Sequence, residues 1–252
     1  MNKNGLAQWV NVLAVVTTIG VNGLANALPL NGQTTGEISD RFQVYFVPAG
    51  YVFSIWGLIY LGLLLFAVYQ ALPSQRDNAR LGRVRGLFTL SCAANVAWLF
   101  LWHYERFPLT LLAMLSLLLV LILIYWRLEI GRDGVPVAEK WFVRVPFSVY
   151  LGWITVATIA NVTSVLDYWN WDGWGISPEA WAIIMLVAGT GLASAMGFTR
   201  GDVAYMLVVV WAFVGIAFKQ ADTPAVATAA WATAALVVLA LAASVIRQRR
   251  RI

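Results

Sequence analysis

The chain has 252 residues, is 61% hydrophobic and only 12% charged, with a mean hydropathy of +0.75. A soluble domain carries about 25% charged residues, so a soluble globular fold is excluded, and continuous apolar runs exclude a β-barrel, whose strands alternate. The net charge of +5 sits in short loops beside apolar runs, where an anionic leaflet favours it, so it does not point to nucleic acid.

Taken in chain order, the uncharged stretches predict eight membrane spans. The first runs from Trp9 to Pro29. The second lies between Phe42 and Gln75, with its core at Gly50 to Leu72. The third covers Gly86 to Trp102 and the fourth Phe107 to Trp126. The fifth covers Val145 to Leu166, the sixth Ala180 to Phe198, the seventh Val203 to Phe218 and the eighth Pro224 to Ile246. The sixth and seventh are joined by Thr199-Arg200-Gly201-Asp202, which reads as a tight helical hairpin. The expected fold is all-α, a polytopic membrane helix bundle of about eight transmembrane helices.

Charge tests the threading. The even-numbered gaps and the two ends hold Lys3, Arg76, Arg80, Arg83, Arg85, Arg127, Arg132, Lys140, Arg144, Arg200, Arg247, Arg249, Arg250 and Arg251; the odd-numbered gaps hold only Arg41, Arg106 and Lys219. A missed or extra span would scramble this 14 to 3 split. The basic side is expected to be cytoplasmic, so both termini are expected inside (N-in and C-in), in a bacterial cytoplasmic (inner) membrane. Ala25-Asn26-Ala27 has the small-x-small form of a signal cleavage site, but a single Lys3 precedes it and a retained span is expected. Trp169, Trp171 and Trp174, outside the fifth span, fit an interfacial aromatic belt.

No Asp, Glu, Lys or Arg lies inside the expected spans, which argues against a proton relay or charged-ring channel and removes the usual general acids and bases. The single Cys92 and single His103 exclude a structural zinc site built from such ligands. The thirteen Trp residues remain to be explained. Phe53, Trp56 and Tyr60 share one helical face, as do Asn95, Trp98 and Trp102, and a third face carries Pro146, Tyr150, Trp153, Ala157 and Asn161. Asn95 and Asn161 are expected to point into the bundle, toward another helix or a ligand, because an amide in hydrocarbon needs a partner. His103, at the end of the third span, is a weak candidate axial ligand for a tetrapyrrole metal.

Three of these segments carry a resemblance. Pro48 to Tyr60 (PAGYVFSIWGLIY), Cys92 to Trp98 (CAANVAW) and Val145 to Asn161 (VPFSVYLGWITVATIAN) resemble, in order and spacing, the TspO/MBR family of tryptophan-rich sensory proteins. The resemblance covers roughly residues 6 to 166 and implies a five-helix bundle, residues 1–170, followed by a three-helix membrane extension, residues 171–252. It also implies a flat apolar ligand, such as a porphyrin, another tetrapyrrole, an isoprenoid or a sterol, held by Trp56, Tyr60, Asn95, Trp98, Trp102, Tyr150, Trp153, Ala157 and Asn161. The mouth would be formed by Pro48, Gly50, Tyr51 and Phe53, and the lid by Leu30 to Val47. No cofactor or metal is required; the expected bound molecule is a tetrapyrrole or other apolar pigment or lipid.

The chain departs from the family pattern in a Phe53-to-Trp56 stretch one residue short and in the three added spans. The implied role is sensor, carrier or scavenger, not enzyme, although porphyrin degradation stays open. The alternative is a structural or assembly subunit of a larger, pigment-carrying membrane complex. Its partners would be the bilayer, a hydrophobic small molecule and a second copy or complex subunit docked on the small-residue faces Gly189–Gly197 and Ala225–Ala243.

Overall fold

A computed structural model describes residues 3–28 and 30–249. The expected contributions of the Lys3 side chain, Arg250 and Arg251 to the charge split, and of Pro29 as the end of the first span, lie outside the described residues. The described chain is helical throughout, 83% helix with no strand.

Helix α1 (Lys3–Ala27) leads through a 3-10 turn (Leu30–Gly32) to the short α2 (Thr35–Asp40). A second 3-10 turn (Gly50–Ser54) opens α3 (Ile55–Ala71), and α4 (Ala79–Gly82) links it to α5 (Arg85–His103). Helix α6 (Phe107–Arg127) is followed by α7 (Val137–Glu139), a π turn (Lys140–Arg144) and α8 (Val145–Tyr168). The chain ends in α9 (Pro178–Arg200), α10 (Val203–Lys219) and α11 (Pro224–Arg249). Among the described residues, seven helical stretches are long and apolar enough to cross a bilayer, and α10, at 17 residues, is a further, shorter apolar helix. Each of these helices overlaps one of the expected spans, seven of them at membrane-crossing length, as suits an integral membrane protein.

The fifth stretch is longer than expected, running from Val137 to Tyr168 rather than from Val145 to Leu166. Its first turns carry Glu139, Lys140 and Arg144, which sequence reading places in a loop. They wind as helix because the Glu139 and Arg144 charges are matched there. Arg80 bonds Asp133 at 2.6 Å and Glu139 at 2.8 Å, and Arg144 pairs with Asp133 and donates to its carbonyl at 2.7 Å. The Arg144 bond holds the Asp133 carboxyl below the usual carboxylate range. Pro146 has no N–H to offer the preceding turn, and the π turn just before it takes up that break in the ladder.

Helices α1, α3, α8, α6 and α5 close a ring, each packed on its neighbours in that order, and α10 lies against the outer side of α8 with α9 and α11 packed on it. The 199–202 hairpin forms as expected: Gly201 takes a left-handed conformation (φ 64°) that closes α9, and the Asp202 carboxylate caps α10 by accepting from the Tyr205 N–H at 3.0 Å. The small-residue faces are used inside the chain. A side chain at Gly189 would strike Phe213 of α10, one at Gly197 would strike Met206, and Ala230 and Ala234 of α11 are buried. The outward faces of α9 and α11 instead carry residues such as Val187 and Leu239, suited to lipid.

The two ends of the bundle differ. One gathers the basic residues and the loops they lash together, with Asn4 bonded to Asp77, Arg200 to the Ile130 carbonyl and Arg85 to the carbonyls of Gln75 and Arg76. The other carries the segment from Leu30 to Val47, called the lid here.

Candidate functional site

The lid is built locally before it is docked. Thr34 and Glu37 form a reciprocal capping box at the start of α2, the Thr34 N–H donating to the Glu37 carboxylate at 2.7 Å. That bond lowers the Glu37 pKa. α2 then docks on α5: the Trp102 Nε1–H donates to the Thr35 carbonyl at 3.2 Å, and Ile38 is buried with Trp102, Phe107 and Val165.

His103 finishes this attachment. Its Nδ1 lies 3.1 Å from the Leu30 carbonyl and its Nε2 3.1 Å from the Thr35 hydroxyl. A carbonyl can only accept, so Nδ1 carries the proton and Nε2 accepts from Thr35 in the neutral ring. Both nitrogens are occupied in tying down the lid, and the ring is buried. The expected axial-ligand role is therefore not available to His103 in this arrangement.

Beneath α2 lies a cavity of about 50 Å³, walled by Trp56 of α3, Trp98 and Trp102 of α5, and Trp153, Ala157 and Asn161 of α8, with Pro48 and Phe53 also in its wall. A neighbouring cavity of about 160 Å³ adds Tyr60, with Asn22 and Asn26 of α1. Thr35, Phe53, Trp56 and Trp98 line both and form the partition between them. The aromatic faces predicted from spacing do meet. Trp56 stacks on Tyr60 with centroids 5.3 Å apart, Trp98 stacks on Trp102 at 5.4 Å, and Trp153 meets Phe53 and Trp56 edge-on at 5.8 and 6.2 Å.

Not every expected residue reaches these cavities. Asn95 and Tyr150 stand outside the walls and join helices: Asn22 donates to Asn95 at 2.9 Å, and Asn95 donates to the Tyr150 hydroxyl at 3.0 Å. Asn161 does both tasks, lining the smaller cavity while accepting from Trp98 Nε1 at 3.2 Å and donating to Thr110 at 2.9 Å. Gly50 and Tyr51, expected at the mouth, are not in these walls; Tyr51 packs edge-on against Trp211 of α10 at 5.5 Å. Thr35 and Ser39 come from the segment expected as the lid, whereas Asn22 and Asn26 of α1 and Met114 of α6 were not anticipated in the walls. The two α1 amides carried a usable signal, a pair four residues apart in an apolar run.

One polar atom of the cavity walls has no partner among the described residues. Trp153 is almost fully buried and lines the smaller cavity, and its Nε1–H makes no hydrogen bond to any of them. An unpaired buried donor costs about 1–3 kcal/mol unless an acceptor reaches it. No group of three or more His, Cys, Asp or Glu among the described residues is arranged to hold a metal ion.

No curated protein and no solved structure matches the chain. A family of TSPO-like proteins does, over residues 8–243, so the match runs through α9–α11 as well as the five-helix ring. With the aromatic faces meeting under a docked lid and a match across nearly the whole length, the chain belongs to the TSPO-like protein family.

Proposed function

We propose that this membrane protein holds a flat apolar molecule bearing a hydrogen-bond acceptor, with a tetrapyrrole as the leading candidate, and works as its sensor, carrier or scavenger. The observation that carries the reading is the buried, unpartnered Trp153 indole N–H in the wall of an aromatic cavity. Apolar walls supply affinity by area and a few polar groups set orientation; here Trp153 and Asn161 are those groups.

The present cavities, about 50 and 160 Å³, are smaller than the roughly 300–1,000 Å³ that drug-sized ligands occupy. A tetrapyrrole would join them by turning aside the partition made by Trp56 and Trp98, with the lid loosened during entry. By the positive-inside rule the basic end faces the cytoplasm, which places the lid and both termini on opposite sides of a bacterial inner membrane.

The test is a titration of the detergent-solubilised protein with protoporphyrin IX, read by tryptophan fluorescence. Saturable quenching is expected, and Trp153→Phe, which keeps the ring but removes the N–H, should weaken binding about 5- to 30-fold. No saturable quenching, or identical affinity in Trp153→Phe, would overturn the reading.

A further inference from the structure

A separate cleft of about 170 Å³ opens at the lid end, where α8, α9 and residues 43–46 meet. It shares no residue with the two cavities beneath α2. Its walls include Tyr45, Trp171 and Trp181 and two carboxylates, Asp167 and Asp172, and contain no Lys, Arg or His.

The indoles form a corner. Trp171 and Trp181 have centroids 5.4 Å apart, and Trp174 packs on them at 5.2 and 6.1 Å. Trp181 is held in place because its Nε1–H donates to the Gly173 carbonyl at 2.9 Å. Of these rings, Trp174 is open to the outside as an interfacial belt residue would be, whereas Trp171 turns into the cleft.

The charges favour a cation. The Asp167 carboxylate, in the last turn of α8, makes no hydrogen bond or ion pair among the described residues, and one Asp172 oxygen accepts only from the Trp174 N–H. The C-terminus of α8 adds the negative end of its dipole, while the opposing N-terminus of α9 carries its own Glu179. Nearby basic groups do not neutralise the cleft: Arg41 pairs with Glu105, Lys219 with Asp40, and Arg106 is not in the wall. A small metal ion would require a cage of oxygen ligands, whereas indole faces beside carboxylates suit a large, weakly hydrated cation.

We propose that this cleft binds an organic ammonium group, its positive charge resting on the faces of Trp171 and Trp181 with Asp167 and Asp172 as counter-charges. The group comes either from a soluble amine or from a choline-type lipid headgroup at the membrane surface. The proposal does not depend on the ligand of the cavities under α2.

The test uses the full chain in phosphatidylglycerol nanodiscs, labelled with 5-fluorotryptophan and followed by ¹⁹F NMR, with signals assigned through single Trp→Phe variants. Benzyltrimethylammonium should shift the Trp171 and Trp181 signals saturably and leave those of Trp98 and Trp153 in place. The neutral isostere, in which a tert-butyl group replaces trimethylammonium, should bind at least tenfold more weakly. Asp167→Asn with Asp172→Asn, both surface changes that preserve shape, should weaken the ammonium by about tenfold. Phosphatidylcholine nanodiscs that already show the shifted signals identify a lipid headgroup as the source; unshifted signals there, with binding of the free amine retained, identify a soluble amine. Equal binding of the neutral isostere, or no effect of the double variant, overturns the proposal.

Discussion

Asn161 ties α8 to two other helices with one amide, accepting from Trp98 on α5 and donating to Thr110 on α6. Replacing it by Leu leaves the Trp98 N–H and Thr110 without that partner, so Asn161→Leu should destabilise the bundle by about 1–3 kcal/mol. A lower thermal midpoint in detergent is the expected readout. That Asn95 and Asn161 turn inward was legible in the sequence, because an amide in an apolar run must find a partner. Which partner was not legible: the contacts to Asn22, Tyr150 and Thr110 depend on how distant helices are rotated, and one sequence does not encode that openly. The same limit hid the loss of His103 to the lid, since both of its bonds reach back about seventy residues.

The lid and the turn that follows it are held from two sides, by α5 through Trp102 and His103 and by α10 and its C-cap through bonds to main-chain groups of residues 45–52. The Ala49 N–H donates to the Gly215 carbonyl at 3.1 Å, Trp211 Nε1 donates to the Val52 carbonyl at 3.1 Å, and Gln220 donates to the Tyr45 carbonyl at 3.1 Å. This approach needs a bare Cα at Gly215, where a Cβ would fall 2.2 Å from the Val52 side chain. Gly215→Ala should therefore push residues 48–52 off α10 and speed porphyrin association several-fold in stopped-flow quenching, while Gly57→Ala, at an open position, should not. The helices themselves were read closely, because uninterrupted apolar runs and flanking charges mark them. The added turns before Val145 were missed because their charges find partners only in the folded loop.

The capping box also gives the start of α2 a titrating contact. The Glu37 carboxyl is lowered from its ordinary 4.5, chiefly by the Thr34 N–H. Its contribution to the lid is thus present above the unfolded carboxylate pKa and is lost as pH falls through the depressed value. Hydrogen exchange across residues 34–40 should accelerate as pH falls below the unfolded carboxylate range, after correction for intrinsic rates. Glu37→Gln, which keeps an acceptor without a titrating group, should abolish that dependence.

For the whole molecule, the family match spans the ring and the three helices after it, and α10 is where they join. It packs on α8, receives the lid segment and bears the residues that hold Tyr51. A chain ending after α8 should consequently show a loosened lid and faster porphyrin exchange rather than an intact five-helix protein, a comparison open to the same stopped-flow assay. The brevity of α10 then has a consequence for the solvent around it. Seventeen residues rise only about 25 Å, roughly 5 Å less than an average hydrocarbon core. Where α10 meets lipid, the acyl chains must thin or the helix must sink, and either costs fractions of a kcal/mol per Å. Thicker bilayers therefore pull on the helix that pins the lid, and exchange of the bound molecule should quicken as acyl chains lengthen, which would make bilayer thickness itself an input to this protein.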